Sequence, residues 1–369
     1  MWEDRVMDIT ALGAIDCDLH PELPGMATLL PYLDDYWRET LVTRGVDRSN
    51  LSLIAYPPGA PLCGRPDWRP ARGKPGTDLG MLQRQALDAF GTRFGILNPI
   101  SAVQLLPSED MAAVLCRAMN DWIAAEWLDR DPRLRASILV PAHGPDLAVE
   151  EIERRAGDPR FVQVLLLAMG EAPLGRRQFW PIYRAAERHG LPIGIHAGSE
   201  YRHAPTSIGW PSYFLEDYVA QSQAFEAQLL SLIAEGVFSK FPALKVVMIE
   251  SGFAWLPGFL WRINKTWRGV RAEVPWVDRP PSEIVRDQVR VTLQPVDEPP
   301  DPAQLAIVIE QLGSDRMLLF STDYPHWQFD GTATLPAGLP EALARRIAVD
   351  NPLETYTRLH QPAHAKEAV

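Results

Sequence analysis

Asp16, Asp18 and His20 stand at alternate positions in AIDCDLHPELP, residues 14–24. The run is apolar at its start and bounded by Pro21 and Pro24, which reads as a β-strand ending in a turn. Side chains alternate along a strand, so the two carboxylates and the imidazole share one face while Ile15, Cys17 and Leu19 share the other. Carboxylates held inside a protein need a partner. Two arrangements supply one here, a hydrogen-bond network or a divalent cation, and the D-x-D-x-H spacing alone is compatible with both.

Further residues of the same chemical kind recur at the ends of later apolar runs: His196 in GIHAG, Glu250 and Ser251 in IESG, and Asp323 in FSTDYPH. The elements that would carry them form a regular series. Apolar runs occur at 51–56 (LSLIAY), 136–142 (ASILVPA), 161–169 (FVQVLLLAM), 191–198 (LPIGIHAG), 245–252 (KVVMIESG), 289–295 (VRVTLQP) and 317–325 (MLLFSTDYP). With the first strand they make eight. Stretches of helical spacing lie between them, among them 110–127, 179–190 and 302–313, the last two closing on a glycine. Apolar strands alternating with helices imply a parallel sheet covered on its outside, and eight such units predict a closed (β/α)8 TIM barrel, an α/β fold, over a single domain of residues 1–369. The rival, an open doubly wound sheet, lacks support because no G-x-G-x-x-G follows the first strand. Residues 57–109, rich in Pro, Gly and Arg, read as a long insertion after the second strand, acting as a lid or a subunit contact. The tail at 361–369 reads as frayed.

In such a barrel the active site lies at the C-terminal ends of the strands. That geometry brings Asp18, His20, His196, Glu250 and Asp323 to one mouth. Two imidazoles and several carboxylates match the donors that Zn²⁺, Mn²⁺ or Fe²⁺ takes. Taken singly, His196 beside two glycines reads equally well as a hydrogen-bonded core histidine, and Asp323 before Tyr-Pro as a turn cap. Their coincidence at strand ends favours the metal.

Composition limits the partners. The chain has 369 residues, 46% hydrophobic and 22% charged, with a formal net charge of -11 and a pI near 5.3. This acidity argues against nucleic acid or an anionic membrane as the main partner and leaves small molecules. No window approaches 18 uninterrupted apolar residues, the N-terminal residues do not read as a leader, and three widely spaced cysteines suit a reducing compartment, so a cytoplasmic location is expected.

The motifs IDCDLHP, GIHAG, KFPALKVVMIESGFAWLPGFLWRIN, GSDRMLLFSTDYPH and NPLETY together resemble the amidohydrolase-related (amidohydrolase 2) family, in particular the group of 2-amino-3-carboxymuconate-6-semialdehyde decarboxylase and γ-resorcylate decarboxylase, over roughly Ile15 to Tyr356. The resemblance implies a metal-dependent barrel whose ligands fall on Asp18, His20, His196 and Asp323. It implies one divalent ion, zinc first with manganese or iron as alternatives. The activity it implies is a carboxy-lyase acting on a small aromatic or unsaturated carboxylate, with a lactone, ester or amide hydrolase next and an inactive barrel serving as a binding module as the third reading. This chain departs from the family in two places. Asp18 stands where relatives carry histidine or glutamate, and Glu250 stands on the sixth strand where relatives often place a histidine near the substrate. The fourth run carries no lysine that could bridge a second metal.

Asp323, Glu250 and His203 are the candidates for moving protons. The loop AGSEYRHAPTSIGWPSYF supplies Tyr201, Arg202 and Trp210 close to the fifth-strand histidine, an arginine with aromatic neighbours that suits a planar carboxylate. His326 and Trp327 follow Asp323 and would line the same mouth. Trp210 and Tyr213 read equally well as part of a subunit interface, and a homodimer or higher homo-oligomer is expected.

Overall fold

A computed structural model of the chain describes residues 9–49, 64–199, 203–299, 301–327, 329 and 335–361. Eight parallel strands occur in sequence order: β1 Ile15–Leu19, β2 Phe94–Leu97, β3 Leu134–Leu139, β4 Phe161–Met169, β5 Ile193–Ser199, β6 Val246–Ile249, β7 Val289–Thr292 and β8 Leu318–Leu319. The cylinder closes where the chain beyond β8 returns to β1. Cys17 N donates to Phe320 O (2.9 Å) and His20 N to Tyr324 O (2.8 Å), and Leu19 bridges Tyr324 in parallel. This is the (β/α)8 barrel that the alternation of runs predicts.

Burial explains the runs. Every residue of β3 and β4 is buried, as expected of strands covered by helices outside and by side-chain layers within. The helices between strands carry ordinary start and stop signals. Ser108 caps Glu109–Ile123 by accepting from Met111 N (3.3 Å). Pro302 opens Pro302–Leu312, and Gly313 closes it at φ 69°.

One element stands elsewhere than expected. The second strand is Phe94–Leu97, inside the stretch read as an insertion; the run 51–56 lies outside the described residues. FGIL is four residues long and contains a glycine, so its apolar signal is weaker than that of LSLIAY. The long connection therefore runs between β1 and β2. Its later part packs over the end of β8: Arg65 N donates to Pro325 O (2.9 Å), and the buried Trp68 ring lies 4.9 Å from Tyr324 and 5.6 Å from Phe329. Residues 362–369 of the expected frayed tail lie outside the described residues.

Candidate metal centre

The three residues of the opening motif divide into two kinds. Asp16 serves the frame: its carboxylate accepts from Thr322 Oγ1 (2.6 Å), Thr322 N (3.1 Å) and Asp18 N (3.2 Å), tying β1 to the segment that delivers Asp323. Burial pushes the Asp16 carboxyl up to about 7, against the lowering effect of these hydrogen bonds. Asp18 and His20 serve the site.

Two constellations of ligand-type atoms meet there and share His20. One is Asp18, His20 and His196, and the other is His20, Glu250, Asp323 and His326; within each, the ligand atoms lie within 4.8 Å of one another, and every residue is buried. His20 Nε2 is 3.3 Å from Asp18 Oδ1 and 2.9 Å from Asp323 Oδ1. His196 Nε2 is 3.5 Å from Asp18 Oδ1, and His196 Nδ1 is 3.6 Å from Glu250 Oε2. His326 Nδ1 stands 2.6 Å from Asp323 Oδ1 and 3.6 Å from Glu250 Oε1, with its ring stacked on His20 at 4.5 Å. Strand ends deliver these groups: β1 carries Asp18, β5 carries His196, and Glu250 and Asp323 follow β6 and β8 in left-handed backbone at φ 61° and 57°.

The ring nitrogens show what is wanted. His20 Nδ1 donates to Asn98 O (3.0 Å) and His196 Nδ1 to Ala197 O (2.7 Å). Each donation leaves the Nε2 lone pair aimed at the carboxylates, where a neutral imidazole has no proton to offer. Three buried atoms in this cluster have no hydrogen-bond partner among the described residues: Asp18 Oδ2, Asp323 Oδ2 and His196 Nε2. Buried oxygens and nitrogens facing one another as acceptors fit a cation between them. Without one, the charges rearrange among themselves. Burial works against ionisation of Asp18, but His20 and His196 outweigh it and hold its pKa low. Asp323 is lowered in the same way by His326 and His20. Burial likewise opposes the charge on His20 and His326, yet Asp18 raises the former well above the usual range and Asp323 raises the latter to about 9. Burial, then Asp323, pushes Glu250 up.

A cavity of about 730 Å³, lined by Tyr218, Ser222, Glu250, Gln294, Asp297 and Trp327, opens beside these groups, within the size range of small-molecule sites. Tyr218 reaches in from the helix Phe214–Ala234 and donates to Glu250 Oε1 (3.2 Å). A second cavity of about 790 Å³ includes Lys245, Arg286 and Arg290 in its lining and shares no residue with the site. Those cations donate to main-chain carbonyls, Lys245 Nζ to Asp287 O (2.7 Å), Arg286 Nε to Leu312 O (2.8 Å) and Arg290 Nη1 to Val289 O (2.8 Å).

The structure thus gathers Asp18, His20, His196, Glu250, Asp323 and His326, and sets Trp327 on the cavity wall. His203 is exposed, its Nε2 2.9 Å from Gly170 O and its Nδ1 2.9 Å from Ala204 O, and belongs to neither constellation. Trp210 is 64% exposed. Tyr201 and Arg202 lie outside the described residues. Asn98, Tyr218 and Gln163 escaped the sequence reading. Gln163 alone left a signal there, as the one polar residue within FVQVLLLAM.

The chain is similar to known decarboxylases in sequence and in fold. It is 27% identical over 266 residues to γ-resorcylate decarboxylase of Rhizobium sp. strain MTP-10005, covering 69% of this chain and 79% of that protein. Its fold matches 5-carboxyvanillate decarboxylase from Sphingomonas paucimobilis with a TM-score of 0.68 at 21% identity, over 94% of this chain and 99% of the other. It also matches dihydroxybenzoic acid decarboxylase from Polaromonas sp. JS666, solved with bound manganese and the inhibitor 2-nitroresorcinol, with a TM-score of 0.69 at 20% identity over 96% and 99% of the two chains. The amidohydrolase family model matches residues 15–358, nearly the whole barrel, and the chain belongs to that family.

Proposed function

We propose that the chain is a metal-dependent carboxy-lyase that removes carbon dioxide from a small aromatic or unsaturated carboxylate. The observation that carries this reading is the set of unpartnered buried atoms, Asp18 Oδ2, His196 Nε2 and Asp323 Oδ2, beside a cavity of substrate size. The decarboxylases among the relatives favour carbon dioxide release over hydrolysis. Asp18, His20, His196 and Asp323 would hold one divalent ion, and manganese, bound by two structural relatives, joins zinc as the ion to test first. When bound, the ion supplies Lewis-acid charge that anchors a carboxylate and a neighbouring oxygen.

The chain's own residues handle the proton. Decarboxylation forms a C–H bond at the carbon bearing the carboxylate, breaks the C–C bond and returns that electron pair to the ring, so one proton enters for each carbon dioxide lost. Asp323 is the assigned donor. Its Oδ1 sits between His20 Nε2 and His326 Nδ1, so His326, close to the cavity wall, can restore the proton. Glu250, 3.6 Å from the same His326 nitrogen and held by the Tyr218 hydroxyl, orients the reacting ring with Tyr218. Arg202, Tyr201 and Trp327 remain the assigned binders of the substrate's planar face, and His203 the reserve proton carrier. The metal-bound barrel would also polarise a carbonyl for hydrolysis, the second reading.

We further assign the protein to the cytoplasm as a homodimer or larger homo-oligomer. No helix among the described residues is long and apolar enough to cross a membrane. The loop after β5 and the start of the next helix expose Ile208, Trp210, Tyr213, Leu215 and Val219, an apolar surface that suits a subunit contact. Elemental analysis of the purified protein, followed by carbon dioxide release from γ-resorcylate, 5-carboxyvanillate and muconate-type acids, tests the proposal. Metal with release of carbon dioxide supports it; metal with turnover of lactones or esters alone replaces it with the hydrolase reading. A metal-free barrel inactive on both classes would be a binding module.

A further inference from the structure

Asn98 follows β2 and is fully buried, yet it touches both metal-ligand candidates at the end of β1, Asp18 within the strand and His20 just after it. Its main-chain carbonyl accepts the His20 Nδ1 proton (3.0 Å). Its side-chain Nδ2 donates to Asp18 Oδ1 (2.8 Å) and to Cys17 O (3.1 Å). Its side-chain Oδ1 accepts from Ser137 Oγ (2.6 Å) and from Gln163 Nε2 (3.2 Å). Gln163 is held in turn by the Tyr356 hydroxyl, which donates to its Oε1 (3.1 Å). The network fixes which end of the Asn98 amide faces which neighbour, because Nδ2 meets only acceptors and Oδ1 only donors.

The barrel is shaped to accommodate this chain of bonds. Gly194 of β5 lies against Gln163, and a Cβ there would come within 2.6 Å of the Gln163 Cδ and Nε2. Ser137, Gln163 and Asn98 have no exposed surface, and none of them lines the cavity beside Glu250. Polar groups buried at this depth are kept only when each is satisfied, and the last acceptor in the series is Asp18.

We propose that Asn98 is the positioning residue of the metal centre. By binding Asp18 Oδ1, which stands 3.3 Å from His20 Nε2 and 3.5 Å from His196 Nε2, it holds the carboxylate beside both imidazoles, and by taking the Nδ1 proton of His20 it fixes the tautomer whose Nε2 lone pair is free to ligate. Ser137 and Gln163 keep its amide from turning over. This assignment rests on the metal-centre reading above.

The test measures Mn²⁺ and Zn²⁺ dissociation constants by chelator competition, with thermal midpoints of the metal-free proteins beside them. Asn98→Ala leaves the carbonyl that holds His20 and removes the bond to Asp18. It is expected to weaken metal binding by about 10- to 100-fold, the scale of residues that orient ligands from behind. In an Asp18→Ala background, where the acceptor is gone, the same substitution is expected to change affinity by less than about twofold, the margin of additivity. A merely structural asparagine would lower the thermal midpoint in both backgrounds and leave metal affinity unchanged. Should Asn98→Ala fail to fold, Ser137→Ala keeps the bond to Asp18 while freeing the amide; a smaller affinity loss, absent in the Asp18→Ala background, supports the proposal. Unchanged affinity in the variant that folds, or equal losses in the two backgrounds, overturns the role of Asn98 while leaving the metal centre standing. A parent protein that takes up neither ion overturns the metal-centre reading, and this assignment with it.

Discussion

Glu250 and Asp323 hold the same left-handed backbone, at φ 61° and 57°, directly after β6 and two strands later beyond β8. Among the described residues they are the two non-glycine positions with positive φ, and both belong to the candidate centre. Aspartate tolerates this region better than glutamate, whose longer side chain gains less from local hydrogen bonding. The strain at Glu250 is maintained by its surroundings: its backbone N–H donates to Thr292 Oγ1 (3.0 Å), and its carboxylate meets Tyr218, His196 and His326. Such outliers concentrate where a function needs a side chain at an angle that a relaxed chain does not offer.

Replacing Glu250 with glycine separates these two demands. Glycine relieves about 1–3 kcal/mol of backbone strain, offset by about 0.5–1 kcal/mol of added chain entropy, and it removes a carboxyl that burial and Asp323 disfavour as an anion. Glu250→Gly is expected to raise the urea midpoint by about 1 kcal/mol of stability with unchanged m and to lose at least about tenfold in kcat/KM. A less stable protein would mean that the Tyr218 and His326 contacts outweigh the strain.

The barrel and most of the centre were legible in the chain because strand-end chemistry survives in the order of residues: DLH, IHAG, IESG and STDYP each follow an apolar run. β2 was not. Four residues with a central glycine, packed at Gly95 where a Cβ would meet the Leu19 side chain at 2.5 Å, carry too little apolar signal to outrank LSLIAY. Asn98 was lost with it, since a strand-end asparagine is informative only once the strand is placed. His326 was expected on the mouth but not beside Glu250, because the contact joins residues from β6 and β8 that no local pattern relates. Asp16 gave the opposite difficulty: its type and spacing equal those of Asp18, and only the Thr322 contacts reveal that it holds the frame.

Metal removal should be visible as lost stability. A cation that binds only the folded protein stabilises it by RT ln(1 + [L]/Kd), about 4 kcal/mol at a thousandfold excess over Kd. Chelation followed by calorimetry is expected to lower the thermal midpoint by several degrees and readdition of Mn²⁺ to restore it, while His20→Ala should abolish the difference. A midpoint indifferent to chelator in protein shown to contain metal would place the ion elsewhere.

Gly194→Ala tests the polar interior from the opposite wall of the barrel. The added methyl would sit 2.6 Å from Gln163 and 2.9 Å from Ile249 Cδ1, an overpacking that costs typically about 1–3 kcal/mol. Gln163 must move to admit it, and Asn98 loses one of its two donors. The expected result is a lower denaturation midpoint together with weaker metal binding. Lower stability with parental metal affinity would show that Gln163 supports the barrel without reaching the centre.

Asp323→Asn separates holding the ion from moving the proton. Asparagine accepts left-handed backbone as readily as aspartate does, and it keeps an oxygen where Oδ1 or Oδ2 now lies. What it loses is the charge that His326 and His20 stabilise and the ability to exchange a proton. The variant is therefore expected to retain much of its metal through Asp18, His20 and His196 and to fall by about 10²-fold or more in kcat, the scale of general acid–base catalysis. Metal stoichiometry and kcat on one preparation check both halves. If the variant keeps its metal and nearly all of its rate, Asp323 is a ligand alone and the proton passes through His326 and Glu250, which His326→Gln would then abolish. If it loses the metal and the rate together, the fourth ligand is indispensable to binding, and Asp323→Glu, which restores a carboxylate, should recover metal before it recovers turnover.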